Sequence, residues 1–235
     1  MHSGQYLHFL GLTVNIAALY SLVATVVIIT AICIWSTRHI SVDNPGKPQL
    51  FMEWLIDFVQ GVVGGTIHNK HAEGYQVLGL TLMLFIFISN IIGLPFLVEF
   101  GEVHYWMSPT ADPVITFALA MTVILLSHFN GIEHKGFKRY LVETYLHPVG
   151  LFLPINLVEE LTNTLTLALR LYGNIFAGEV LLGLIASAGM ALAPVSWIVG
   201  IPLQIIWQGF SLFIGGIQAY IFVTLTMVYL SNKVD

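Results

Sequence analysis

Of 235 residues, 57% are hydrophobic and 9% are charged, whereas a water-soluble domain carries about 25% charged residues, so water is excluded as the main solvent of this chain. The net charge of −5 excludes less than the placement of the few cations does. The single cysteine, Cys33, excludes an internal disulfide and a cysteine cluster for zinc or iron–sulfur.

A bilayer core about 30 Å thick needs roughly 20 apolar residues per helix, and five runs of that kind follow one another. The first covers Gly11 to Trp35. No Lys or Arg precedes it in Met1 to Leu10, as a removable signal would require, so it is read as retained. Asp43 to Lys47 (DNPGK) reads as a turn. Phe51 to Val63 then sets Phe51, Leu55, Phe58, Val59 and Val62 at helical spacing beside Glu53, Asp57 and Gln60, the pattern of an amphipathic helix at the cytoplasmic interface. His68 and His71 (HNKH) lack a third ligand nearby and read as loop residues, so no metal site is expected. The second span, Tyr75 to Leu97, ends in Asn90-Ile-Ile-Gly-Leu-Pro95, where Gly and Pro favour a bend. An acidic connection, Glu99 to Asp112, leads to the third span, Pro113 to Phe129, and a basic one, Glu133 to Arg139, follows it. Pro148 and Pro154 interrupt the approach to the fourth span, Pro154 to Gly189, and the fifth runs from Pro194 to Leu230. Each of these last two spans covers some 35 residues, about 50 Å at the helical rise, so strong tilt or curvature is expected. With no internal repeat or linker, residues 1–235 are expected to form a single, all-α polytopic membrane domain.

Cations fix the expected orientation. Arg38, Lys47 and Lys70 follow the first span, Lys135, Lys138 and Arg139 the third, and Lys233 the fifth. By the positive-inside rule the N-terminus lies outside and the C-terminus in the cytoplasm, as an odd number of spans requires. The eighth cation, Arg170, lies inside the fourth span.

The fourth span carries Asn156, Glu159, Asn163, Thr166, Arg170 and Asn174 at steps of three or four, which is one face of a helix. The fifth carries Gln204, Gln208, Ser211, Gly215 and Gln218 in the same way before turning apolar at Phe222. In the expected topology the first stripe wets the inner half of the membrane and the second the outer half, with Glu179 near the depth of Gln204 and Gln208. The two stripes overlap at Arg170. Either Glu159 or Glu160 can line the inner end, and Asp112 is a further acid near the outer mouth. An arginine at mid-bilayer costs at least about 2.5–3.5 kcal/mol and does not deprotonate. Glu159 and Glu160 lie about 15 Å of helical rise to one side and Glu179 about 13 Å to the other, so a carboxylate on another subunit is the expected partner. Each part has a plainer reading: Asn, Thr and Gln stripes join membrane helices by hydrogen bonding, Arg170 can serve a structural ion pair, Glu179 can be a buried bundle acid, and Asp112 can cap a helix. His128, His134 and His147 sit near span ends and read as interfacial.

The run Leu167-Ala-Leu-Arg-Leu-Tyr-Gly-Asn-Ile-Phe-Ala-Gly-Glu179 resembles the signature of subunit a of bacterial F-type ATP synthases. The likeness continues through Phe85-Ile-Phe and Asn90 to Pro95, Pro109-Thr-Ala-Asp112, and Gln218 to Leu230. The resemblance implies a stationary subunit of a rotary motor in a bacterial plasma membrane, with no catalytic site or cofactor of its own and no nucleic-acid partner. Implied partners are the c-ring, the peripheral-stalk subunit b and the remaining synthase subunits. Arg170 is then the stator arginine facing the ring carboxylate, and Asn174, Glu179, Gln218 and Asp112 correspond to proton-path residues. Some relatives place a titratable His on the last helix, where this chain has Ser211. The ring holds the coordinating carboxylate and most of the family is proton-driven, so protons are expected rather than sodium. A secondary transporter would show repeats or broken helices, a haem protein His pairs within spans, and a zinc protease HExxH or a P-loop enzyme a Walker sequence; the sequence has none of these.

Overall fold

The computed structural model describes residues 6–9, 12–67, 72–93, 99–100, 103–104, 107–146, 153–191 and 195–234. His68, Lys70, His71, Pro95, Leu97, His147 and Pro148 lie outside these residues. Among these residues, two short antiparallel ribbons, β1 (Tyr6–Phe9) with β2 (Leu12–Asn15) and β3 (Glu99–Phe100) with β4 (Val103–His104), accompany seven α-helices: α1 (Ile16–Thr37), α2 (Lys47–Thr66), α3 (Ala72–Gly93), α4 (Pro113–Lys135), α5 (Phe137–Leu141), α6 (Leu153–Ala191) and α7 (Val195–Val234). Among the described residues, five helices are long and apolar enough to cross a membrane: Ile16–Thr37, Gly74–Gly93, Pro113–Lys135, Leu153–Ile185 and Gly200–Val234. The chain is therefore a helical membrane protein, as its composition requires.

Two boundaries and one buried face differ from the sequence reading. The first span begins at Ile16 rather than Gly11, because Leu12–Asn15 pairs with Tyr6–Phe9, and the β-branched Thr13 and Val14 suit a strand. The third span runs on through Asn130 and Gly131 to Lys135. The amphipathic helix buries Gln49, Met52, Leu55, Val59 and Val63, whereas Phe51 and Phe58, expected on its apolar face, stay exposed with Trp54. Those three aromatic rings follow one another along the helix, Phe51 tilted against Trp54 with centroids 6.2 Å apart and Trp54 stacked on Phe58 at 6.0 Å. Spacing alone put two adjacent apolar rows on one face, and packing separated them.

Helices α6 and α7 have 39 and 40 residues, about 58 and 60 Å at 1.5 Å per residue, roughly twice a hydrocarbon core. Pro154 stands in the first turn of α6, where its missing N–H costs nothing. Pro202 removes one backbone donor inside α7, yet the helix continues.

The chain divides into two compact units, Met1–Ala31 with Leu84–Thr116 and Arg170–Ala219, and Ile32–Met83 with Phe117–Leu169 and Tyr220–Asp235. In the first, α1 buries Ala18, Ser21 and Thr25, α3 buries Ile86, Ser89 and Asn90, α6 buries Leu171, Ile175 and Leu182, and α7 buries Ser211, Gln218 and Ala219. The Ser21 and Thr25 hydroxyls bond back to the carbonyls of Ala18 and Ser21, satisfying them inside the helix. In the second unit Val59, Val63, Ala120, Tyr140, Leu167, Ala168, Phe222, Met227 and Leu230 form the core. Gly79 brings three helices together there: a Cβ at that position would lie 3.0 Å from Val59 and 3.1 Å from Met227.

Candidate functional site: an exposed arginine and two polar clusters

Helix α6 buries Thr164, Leu167, Ala168, Leu171, Ile175, Gly178 and Leu182, a continuous face at helical spacing. The polar stripe runs along the margin of that face. Asn156, Asn163 and Asn174 are half-buried, and Glu159, Thr166 and Arg170 are exposed. Among the described residues no carboxylate pairs with Arg170; the ion pairs there join His128, Lys135, Arg139 and Lys233 to Glu143 or Glu160. The second predicted stripe behaves differently. On α7 Gln204 is exposed and Gln208 half-buried, but Ser211, Gly215 and Gln218 are buried.

In the second unit a polar cavity of about 260 Å³ is lined by Asn156, Glu159, Glu160 and Asn163 of α6, Tyr229, Asn232 and Lys233 of α7, and Lys135, Glu143 and Thr144. The structure thus brings three residues of the inner stripe to one wall, and Thr166 is not among the lining. Asn156 is held by its amide, which donates to the Thr144 carbonyl at 3.3 Å. Both Glu159 and Glu160 face the cavity, but they differ in their bonds. Glu160 accepts from Lys233 Nζ at 2.8 Å and from His128 Nε2 at 3.0 Å. His128 Nδ1 in turn meets the hydroxyl of buried Tyr140. Sequence reasoning placed His128 at the interface and gave Lys233 only a topological role. Positions 128, 140, 160 and 233 share no spacing that could have joined them.

In the first unit Glu179 is half-buried, and its Oε1 accepts from the Ser108 backbone N–H at 3.1 Å. From Ser108 a fully buried chain runs on. Its hydroxyl lies 3.0 Å from the Ser89 carbonyl and 2.7 Å from the Thr110 hydroxyl, which lies 2.7 Å from Asn90 Oδ1, and Asn90 Nδ2 donates to the Gly215 carbonyl at 2.9 Å. The Gly215 carbonyl can only accept, which fixes the Asn90 amide orientation and leaves Oδ1 as Thr110's acceptor. The two hydroxyls therefore have two protons for three oxygen–oxygen links, and the hydrogen-bond direction along Ser89–Ser108–Thr110–Asn90 can reverse without moving a heavy atom. Gly215 permits the approach, since a Cβ there would lie 3.1 Å from Asn90 Cβ. The buried Ser89 hydroxyl and Gln218 Nε2 have no hydrogen-bond partner among the described residues. Asn90 and Thr110 lay in stretches singled out by resemblance, but the sequence assigned neither a role, nor Ser108.

Asp112 caps α4. Its Oδ1 accepts from Val114 N–H at 2.8 Å and Pro113 fills the first helical position, the arrangement that satisfies an orphan donor at a helix start. Trp207 ties α7 to α6 within this unit by donating to the Gly178 carbonyl at 3.3 Å.

Fold and site together define a polytopic helical membrane protein that carries ionisable and amide side chains inside its spans. The model of the ATP synthase A chain family matches residues 18–231. The chain is 48% identical to ATP synthase subunit a of Bacillus subtilis (strain 168), over 100% of its own length and 98% of that relative. It is 46% identical to ATP synthase subunit a of Bacillus velezensis over 100% and 98%, and 47% identical to that of Listeria welshimeri over 96% and 94%. The chain belongs to the ATP synthase A chain family.

Proposed function

We propose that this chain is the stationary proton-conducting subunit of a rotary F-type ATP synthase, acting as one membrane domain against a c-ring carboxylate. The observation that carries the reading is Arg170, exposed on a polar stripe with no anionic partner among the described residues. A guanidinium at that depth does not face lipid at equilibrium, so a partner subunit covers it and brings the carboxylate. Family membership supports the ring as that partner, with subunit b and the other synthase subunits completing the complex.

In this reading, protons enter from outside along Glu179, Asp112, Gln204, Gln208, Ser211 and Gln218 and load the ring carboxylate. After nearly a full turn they leave along Asn156, Glu159, Asn163 and Thr166. The hydroxyl chain beside Glu179 and the polar cavity beside Glu159 support the two halves of this path. Arg170 has two roles, both following from a charge that is never lost. It favours the ionised ring carboxylate by direct attraction, driving proton release, and it repels a proton passing straight from one half to the other. Asn174, one turn further along α6, supports its surroundings. Each proton delivered is worth about 2.3 kcal/mol per 100 mV, drawn on by the rotor; the nucleotide chemistry belongs to other subunits. The cation distribution supports an outside N-terminus and a cytoplasmic C-terminus in a bacterial plasma membrane.

The test is ATP-driven proton pumping by an assembled Arg170→Ala complex in inverted vesicles. Pumping is expected to be abolished, and normal pumping would overturn the assignment. With Cys33 removed and cysteines placed beside Arg170, cross-links to c-ring helices are expected near the ring carboxylate.

A further inference from the structure

We infer that the adjacent acids Glu159 and Glu160 divide the work of the second unit's cavity: Glu160 is a positioning residue that fixes the cavity wall, and Glu159 is the carboxylate that exchanges protons there. The inference rests on the reading of that cavity as the inner half of the proton path.

Both oxygens of Glu160 are engaged, Oε2 by Lys233 at 2.8 Å and Oε1 by His128 Nε2 at 3.0 Å, with side chains only 13%, 17% and 20% exposed for Lys233, Glu160 and His128. An ionised carboxylate only accepts, so His128 carries a proton on Nε2, and on the neutral ring Nδ1 then accepts from the Tyr140 hydroxyl. The His128 ring is thus held from both sides, by Glu160 and by Tyr140. A proton placed on Glu160 removes the negative charge on which both bonds draw and weakens its contacts to Lys233 and His128 together. Such a carboxylate is a poor carrier and a good anchor. It joins α6 to α4 through His128, to α5 through Tyr140 and to the last turn of α7 through Lys233, while Gly131 lets α4 lie against the Lys233 carbonyl, 3.1 Å from where a Cβ would stand.

Glu159 is the next residue on the helix, about 100° round from Glu160, and it faces the same cavity, exposed. The other charged groups on that wall are already committed: Lys135 lies 3.9 Å from Glu143, and Lys233 is held by Glu160. Glu159 is thus the acid of the cavity without a cationic partner among the described residues, free to gain and lose a proton without breaking an ion pair. Tyr229 is the remaining titratable group on the wall.

The experiment uses the whole synthase in inverted vesicles and measures ATP-driven pumping and passive proton conductance as functions of pH on the cytoplasmic side. Glu159→Gln is expected to lower both at least tenfold and to flatten the pH profile. Glu160→Gln keeps the shape and one acceptor, so it is expected to lower rates two- to fivefold with the profile unmoved. Lys233→Gln is expected to do the same, and the Glu160→Gln/Lys233→Gln double variant to be no worse than either single one, because both remove the same contact. A profile flattened by Glu160→Gln but kept by Glu159→Gln overturns the division, as does a profile that neither moves. Should Glu160→Gln fail to assemble, Lys233→Gln decides, and a flattened profile there counts against positioning. Arg170→Ala is run in parallel: wild-type pumping there removes the underlying path reading, whereas the outcomes above reverse only the roles of the two acids.

Discussion

Gly93 closes α3 where the Ser108 backbone crosses it. A Cβ added at Gly93 would collide first with Ser108 Cβ and would lie 2.6 Å from its Cα and 2.8 Å from its Oγ. Neither the Cβ nor the Cα of Ser108 moves when its side chain rotates, so no rotamer change relieves the clash. Gly93→Ala must therefore push Ser108 away, and Ser108 supplies the N–H on Glu179 and the hydroxyl shared with Thr110 and Ser89. Overpacking of this kind costs about 1–3 kcal/mol, and loss of the hydrogen bond to Glu179 adds about 0.5–1.5 kcal/mol. The combined destabilisation is expected to be about 1.5–4.5 kcal/mol before relaxation. Thermal unfolding of the purified complex measures it, with proton pumping followed in parallel. Gly61→Ala is the control, because a Cβ there meets nothing within 4 Å, and alanine gains about 1 kcal/mol over glycine inside a helix. Adding Ser108→Gly removes the side-chain clash but not the Cα, so rescue should be partial. A Gly93→Ala complex that melts and pumps like the parent would refute the argument that this crossing fixes the Glu179 surroundings.

Other substitutions separate structure from transport. Asp112→Ala removes the α4 cap and is expected to cost about 1 kcal/mol, whereas Asp112→Asn keeps a capping oxygen and the melting temperature; a place on the outer path requires both to slow pumping, which proton uptake in vesicles measures. Glu179→Gln is expected to slow coupled transport severalfold with little change in stability, since the amide oxygen still accepts from Ser108 N–H. Ser211→Ala is expected to have a smaller effect on the same assay, and a larger one would move Ser211 to the centre of the outer path.

Composition and periodicity were enough for the membrane, the five spans and the polar stripes, because a bilayer leaves few choices: backbone groups must be satisfied within each helix, and a twenty-residue apolar run has little else to become. The motif around Arg170 gave the family for the same local reason, since Leu167 to Glu179 is one continuous stretch. Residues whose meaning depends on a distant partner were not legible. Whether Glu159 or Glu160 is engaged depends on Lys233 and His128, more than thirty residues off in sequence on either side. The strand at Leu12–Asn15 depends on a pairing partner that hydropathy ignores. The aromatic row of α2 was assigned to the buried face because Phe51 and Met52 are equally apolar, and only packing selects between neighbouring rows. Sequence by itself thus determined what each helix is and which side chains it must carry through the membrane, since these follow from the solvent and the local period. Tertiary structure alone decided which of those side chains are held and which are left free, because hydrogen bonds and ion pairs between helices are set by approach in space, to within a few tenths of an ångström, and no spacing along the chain encodes that.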